Sequence, residues 1–261
     1  MTTLLVTRPA QQAAELVGLL AERGIDSISV PTVEIAPAPA GGALDDAILS
    51  LDDAAWLVVT SVNGAAALEE RAPTFIERLA RLTALGRALP VDLLVAAVGP
   101  ATAAALQAGG VRVDHVPSRY RTVAIAEGLG DLVGRRVVLA RADAATRDLR
   151  DALVERGAVV EEVVAYHTVE GPANSRDTIR SALAQRLDGV TFTSGSTVRG
   201  LHALLSPPEA LRATALPGYC IGPVTARVAR LAGFAVPVVA DRHTAAALAD
   251  AIHRHLEKEI A

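Results

Sequence analysis

Six short turns carry the residues best suited to chemistry. They are Thr7-Arg8-Pro9, Ser61-Val62-Asn63-Gly64, Gly99-Pro100-Ala101-Thr102, Arg141-Ala142-Asp143, Ser194-Gly195-Ser196-Thr197 and Gly222-Pro223-Val224-Thr225. Most follow a short apolar run and open a helical pattern with Ser, Thr, Asn, Gly or Pro. A helix that starts this way leaves backbone N–H groups free beside small hydroxyls, at the positive end of the helix dipole. That is an anion receptor built without lysine, suited to a ligand bearing several carboxylates and held mostly by main chain. The same residue types are ordinary N-caps, and any one turn taken singly reads first as a cap, with their repetition at matched positions pointing to the receptor. Neither Gly-Pro-x-x-Thr turn is a phosphate loop. The glycine spacing of a dinucleotide fingerprint and the Gly-Lys-Ser/Thr of a P-loop are both missing.

The remaining reactive side chains are sparse. Tyr166 is one of only three tyrosines, follows Val163-Val164-Ala165 and precedes a Gly-Pro linker. It reads either as a strand-end plug or as a functional hydroxyl. Cys220 lies on an apolar run before Gly222 and reads as a small core residue. His253 and His255 stand two apart on a helical pattern and face different directions. His115, His167, His202 and His243 show no ligand spacing, so no metal site is expected. The pairs Asp45-Asp46 and Asp52-Asp53 read as a solvated face.

Composition narrows the class further. The 261 residues are 51% hydrophobic and only 3% aromatic, so Ala, Val and Leu must fill the core. This suits helices packed closely on a Val/Leu-rich sheet. The formal net charge is −4 with scattered basic residues, which argues against a nucleic-acid surface. One cysteine excludes an intrachain disulfide framework and fits a reducing cytoplasm. The opening Met-Thr-Thr-Leu-Leu-Val-Thr-Arg-Pro reads as a first strand rather than a signal peptide, and no apolar run reaches membrane-span length. The expectation is a soluble cytoplasmic protein.

The elements that position these turns occur twice. Leu4-Leu5-Val6-Thr7-Arg8 is answered by Val137-Val138-Leu139-Ala140-Arg141, with Arg8 and Arg141 133 residues apart. Ala21-Glu22-Arg23-Gly24 recurs as Val154-Glu155-Arg156-Gly157 at the same offset, and Thr60-Ser61 as Thr193-Ser194. Val98-Gly99-Pro100-Ala101-Thr102 returns as Ile221-Gly222-Pro223-Val224-Thr225 at an offset of 123. Four markers in one order identify a duplicated unit. Each copy reads strand, helix, strand, linker, strand, helix, strand, helix. One such helix spans Gln11 to Glu22, with Ala14, Leu16, Val17, Leu19 and Leu20 as its apolar stripe and Gly24 as its C-cap. Alternating elements of this kind imply an α/β fold with parallel, doubly wound sheets.

The linkers do not fall between the copies. Ala36-Pro37-Ala38-Pro39-Ala40-Gly41-Gly42 and Glu170-Gly171-Pro172-Ala173-Asn174 interrupt each copy at the same point, whereas Gly128 to Gly134 looks like a helix end feeding a strand. Domain boundaries at linkers give one domain of residues 43–168 and a discontinuous one combining 1–35 with 174–261, with 36–42 and 169–173 between them. A tandem split near residue 130 leaves both linkers unexplained. Facing domains would line a cleft with the six turns.

Taken together, these motifs resemble the uroporphyrinogen-III synthases over essentially the whole chain. The resemblance is carried by Leu5-Val6-Thr7-Arg8-Pro9, Thr60-Ser61-Val62-Asn63-Gly64, Val98-Gly99-Pro100-Ala101-Thr102, Val163-Val164-Ala165-Tyr166-His167-Thr168, Phe192-Thr193-Ser194-Gly195-Ser196 and Ile221-Gly222-Pro223-Val224-Thr225. It implies two flavodoxin-like domains, exchanged in sequence and joined by a two-stranded connector. It also implies a cofactor-independent monomer acting on hydroxymethylbilane, which carries eight carboxylates, with a transient contact to the enzyme that makes it. The family reaction expels the ring A hydroxyl to give an azafulvene, forms a spiro intermediate from ring D, and closes the macrocycle with ring D inverted. By resemblance Tyr166 supplies the departing hydroxyl's proton, and Thr102 and Thr225 are substrate-contacting hydroxyls. Thr7, Ser61, Asn63, Gly99, Ser194, Ser196 and Gly222 complete the substrate-binding set. Arg8 and Arg141 belong to it too, with Arg119, Arg121 and Arg242 as further basic candidates.

Two other classes fit the cleft expectation. A tetrapyrrole-sensing module without catalysis would need an output domain, and only His253 to Ala261 follows the last repeat helix. A sugar-nucleotide transferase would show a charged nucleotide contact and a longer interdomain helix.

Overall fold

The computed structural model of the chain describes residues 2–71, 93–118 and 123–260. Arg119 and Arg121 lie outside them. The chain divides into two compact units, one of residues 1–35 with 168–261 and the other of residues 36–167.

In the first unit, β1 (Thr3–Val6) leads through α1 (Ala10–Ala21) to β2 (Asp26–Ser29). The chain returns to this unit later with α7 (Arg176–Leu183), β8 (Gly189–Phe192), α8 (Gly195–Leu204), α9 (Pro207–Thr214), β9 (Gly218–Cys220), α10 (Pro223–Leu231), β10 (Val238–Val239) and α11 (Ala245–Ile260). The five-stranded sheet has the order β10-β9-β8-β1-β2, and every adjacent pair in it is parallel. The alternating strands and helices bury both faces. Leu5, Val190 and Phe192 enter one apolar cluster with α8 and α10. Leu4, Val6 and Tyr219 enter another with α1 and α11. Leu16 and Leu20 form the buried stripe of α1 with Ala13, while Ala14, expected in that stripe, is exposed. Gly24 ends the helix at φ 70°, and its repeat counterpart Gly157 takes φ 86°, the left-handed conformation that favours glycine.

The second unit contains α2 (Ala43–Leu49), β4 (Ala54–Val59), α3 (Val62–Glu69), β5 (Leu94–Ala97), α4 (Pro100–Ala108), α5 (Ala124–Glu127), β6 (Arg136–Ala142) and α6 (Asp148–Glu155). Two strands, β3 (Val33–Pro37) and β7 (Val159–Glu170), carry the chain from one unit into the other. The sheet order is β3-β7-β6-β4-β5, with β4 parallel to β5 and β6, and β6 parallel to β7. All six residues of β4 are buried, as a strand covered on both faces requires. The single Trp56 lies there, its Nε1 donating to the Leu129 carbonyl at 3.1 Å.

One difference from the sequence reading concerns the two copies of the third element. In the first copy, β2 and β3 are separated around Pro31, which has no N–H for a ladder. At the repeat offset of 133 the second copy has Val164 there, and β7 runs unbroken for 12 residues. Tyr166 therefore lies inside a strand that continues to Glu170, rather than at a strand end.

Candidate active site

Open parallel sheets bind ligands beyond the carboxyl ends of their strands, at the point where the chain switches from building one side to building the other. In the second unit the chain goes from β4 outward to β5 and then to β6 on the opposite flank, so that point lies between β4 and β6. Ser61 and Arg141 stand at those two strand ends. In the first unit the corresponding point lies between β1 and β8, with Thr7, Arg8 and Ser194 at their ends.

Ser61 caps α3, its Oγ accepting the Gly64 N–H at 3.0 Å. The same Oγ lies 3.0 Å from the Tyr166 hydroxyl. A register shift brings the ring there: Val164 pairs with Arg141, but Tyr166 pairs with Ala142, leaving Ala165 as the extra residue. Such a bulge re-aims the following side chain. Tyr166 is 7% exposed, its phenol held beside the start of α3. Gly64 is closely packed there. A Cβ there would lie 3.3 Å from Val59 and 3.4 Å from Ser61 Oγ. Asn63 sits half-buried in the same first turn. Gly99 caps α4 with extended backbone and Pro100 at the first helical position, and α3 and α4 pack together.

The first unit repeats this plan with different partners. Ser194 Oγ accepts the Thr197 N–H at 3.2 Å while Thr197 Oγ1 accepts the Ser194 N–H at 3.3 Å, a reciprocal capping box. Ser194 Oγ also meets Ser196 Oγ at 2.8 Å. Gly222 caps α10, followed by Pro223. The tyrosine has no counterpart here: the repeat offset puts Val33 at its position.

Several expected contacts are turned inward. The Thr7 hydroxyl is fully buried and donates to the Thr191 carbonyl at 2.6 Å, tying β1 to β8 instead of facing a ligand. Arg141 is corrected likewise. It is 2% exposed, gives Nη2 to the Thr146 carbonyl and has Nε 3.4 Å from Glu162. The 143–147 connection reaches it through the Thr146 carbonyl, while Nε and Nη1 are buried without a hydrogen-bond partner among the described residues. Arg8 is 14% exposed and donates Nη1 to Glu15 at 3.1 Å. Thr102 and Thr225, third residues of their helices, are 3% and 5% exposed, so both are buried in the fold.

His243 was missed. Its ring packs on Gly222, where a Cβ would come 2.5 Å from Nε2. The exposed imidazole stands over the start of α10 and one residue before Thr244, whose Oγ1 accepts the Ala247 N–H of α11 at 3.2 Å. No spacing in the sequence signals this, because the approach is made by a loop folding back. Cys220 is fully buried on β9, and desolvation pushes its thiol up to about 11, which keeps it inert. Among the described residues no group of three or more His, Cys, Asp or Glu is arranged to hold a metal ion, and no helix is long and apolar enough to cross a membrane.

A family model described as uroporphyrinogen-III synthase HemD matches residues 14–250. The uroporphyrinogen-III synthase of Synechococcus elongatus is 32% identical over 208 residues, covering 78% of this chain and 75% of its own. Among solved structures, a mutant uroporphyrinogen III synthase from Thermus thermophilus is similar with a TM-score of 0.66 at 18% identity, over 99% of this chain and 100% of that one. The uroporphyrinogen-III synthetase of Helicobacter pylori gives 0.62 at 16% identity, over the full length of both chains. These likenesses extend the α/β architecture with two parallel-dominated sheets to known structures. With the model match running through nearly every element described above, the chain belongs to the uroporphyrinogen-III synthase family.

Proposed function

We propose that the chain is a cyclising lyase that converts hydroxymethylbilane to uroporphyrinogen III by loss of water and inversion of ring D. The observation that carries the residue-level reading is the Ser61–Tyr166 contact at the switch point of the second unit. The phenol of Tyr166 is the proton donor to the departing ring A hydroxyl in this reading. The azafulvene is stabilised by its own pyrrole, so the protein's larger task is to hold the chain in a productive shape. Carboxylates are received by the backbone N–H groups that open α4 and α10 at Gly99 and Gly222, with Asn63, Thr102, Ser194, Ser196 and Thr225 alongside. Neither metal nor organic cofactor enters this scheme. The test is a coupled assay on hydroxymethylbilane that separates type I from type III isomers, before and after dialysis against a strong chelator. Type III product unaffected by dialysis is expected; type I product alone would overturn the activity.

Each unit reads as a flavodoxin-like domain, the second with β3 added at the edge beyond β7. Numbered within its own chain order, the first sheet runs 2-1-3-4-5, the order of that fold. With the units as domains, limited proteolysis is expected to cut first near Pro37 to Gly42 or Gly171 to Asn174 and to leave a compact fragment of about residues 43–168. Stable fragments split near residue 130 would sink this division. We also take the chain to act as a cytoplasmic monomer that receives hydroxymethylbilane by transient contact with the enzyme that makes it. Sedimentation alone and with that enzyme reads both points.

The turns are expected to act through backbone. Gly222 has φ −176°, extended backbone open to any residue, so Gly222→Val is expected to keep its turn. Its side chain instead displaces the His243 ring and covers the N–H groups, and type III turnover is expected to fall about tenfold or more. Thr225→Ala leaves those donors in place and is expected to cost a few-fold at most. A reversed ranking in steady-state kinetics would reject the backbone account.

A further inference from the structure

The Ser61 hydroxyl has one hydrogen to give and two lone pairs to receive with. The Gly64 N–H occupies one lone pair. Among the described residues, Tyr166 Oη is its other hydrogen-bond partner. If Tyr166 donated to Ser61, the phenolic proton would be committed to the protein and Ser61's own hydrogen would lack an acceptor. In the opposite polarity the Gly64 N–H and the Ser61 O–H both find acceptors within the protein, and the phenolic hydrogen is the one left for a ligand. In that polarity, charge left on the phenol oxygen after proton transfer is met by a hydroxyl already polarised at the start of α3.

Contrast with the first unit isolates what is special here. Ser194 holds the same capping position, but its second contact is Ser196, and the residue at Tyr166's repeat position is Val33. Helix capping alone therefore explains a serine at both sites but does not explain the phenol.

We infer that Ser61 is a positioning residue for Tyr166: it orients the phenol, leaves its proton free for the leaving hydroxyl, and receives charge when that proton departs. This rests on the reading of Tyr166 as the acid and takes Ser61 out of the substrate-contacting set. The proton balance is closed within the reaction. The phenol gives its proton to the leaving oxygen, which departs as water, and regains one when the newly joined ring carbon loses its hydrogen.

The experiment is a double-mutant cycle with three replacements at position 61, each variant checked for folding by urea melts. Ser61→Ala is expected to lower kcat for type III product about tenfold with KM within about twofold, and Ser61→Thr to stay within about threefold of the parent. Ser61→Asp preserves the cap on Gly64 but has no hydrogen to donate, so it is expected to be at least as slow as Ser61→Ala. In the Tyr166→Phe background, Ser61→Ala is expected to change kcat by less than about twofold. A raised KM with intact kcat would return Ser61 to substrate binding. Recovery of activity in Ser61→Asp would make it a cap alone, and effects that multiply independently with Tyr166→Phe would remove the coupling. Full turnover in Tyr166→Phe by itself would overturn the acid, and this inference with it, whatever Ser61 does.

Discussion

Tyr166→Phe is expected to form type III product about ten- to a hundredfold more slowly than the parent, with KM nearly unchanged. General acid assistance is typically worth about 10²- to 10⁴-fold. The low end applies because the azafulvene is stabilised by its own pyrrole, and water or a substrate carboxylate can replace the donor. The ring is nearly buried, with only its hydroxyl committed to Ser61, so Phe preserves the packing that the β7 bulge establishes. Linear intermediate released by the slowed enzyme would close nonenzymatically to the type I isomer. Single-turnover measurement of the isomer ratio checks both parts. Equal rates in parent and variant would assign Tyr166 to structure and leave catalysis to positioning.

The second large effect is on stability. Gly200→Ala is expected to destabilise the first unit by about 3 kcal/mol, although alanine is the better helix former. A Cβ on Gly200 would lie 1.9 Å from the Thr32 carbonyl oxygen and 3.1 Å from the Gly171 N. Both are backbone atoms already tied to each other, since Gly171 N donates to Thr32 O at 2.9 Å. Thr32 is further held by its own hydroxyl, which donates to Thr197 O at 2.9 Å, so no flexible side chain can yield. Gly18, on α1, is the control. Nothing lies within 4 Å of a Cβ there, and Gly18→Ala is expected to stabilise by roughly 0.5–1 kcal/mol. Urea midpoints for the two variants should move in opposite directions. A Gly200→Ala protein as stable as Gly18→Ala would refute the close approach.

Features encoded locally could be read from the sequence. The Arg23-Gly24 and Arg156-Gly157 pairs end α1 and α6 because left-handed termination is a property of the glycine itself. The continuous apolar run Trp56-Leu57-Val58-Val59 lies on β4, whose six residues are all buried. Side-chain direction was not local. Arg8 and Arg141 occupy equivalent positions, yet one meets Glu15 near the surface while the other is buried and reaches the Thr146 carbonyl. Thr7 looked like an open hydroxyl because its acceptor, the Thr191 carbonyl, is 184 residues away. The aim of Tyr166 depended on a bulge that no residue type declares. His243 meets Gly222 across 21 residues of chain, an approach that no local pattern declares.

Residues 1–35 pair with strands that are made much later. β1 sits between β2 and β8, and Leu4, Leu5 and Val6 find their partners Gly189, Val190 and Thr191 on that second edge only after the intervening unit has been synthesised. At about 5–20 residues per second this is a wait of roughly 10–40 s on the ribosome. During it the nascent chain carries an apolar strand edge with nothing beside it, the kind of edge that recruits strands from other chains. The unit of residues 36–167 lies wholly inside the gap and can complete first. Completion can thus run opposite to sequence order, with the first strand translated belonging to the last sheet that can close.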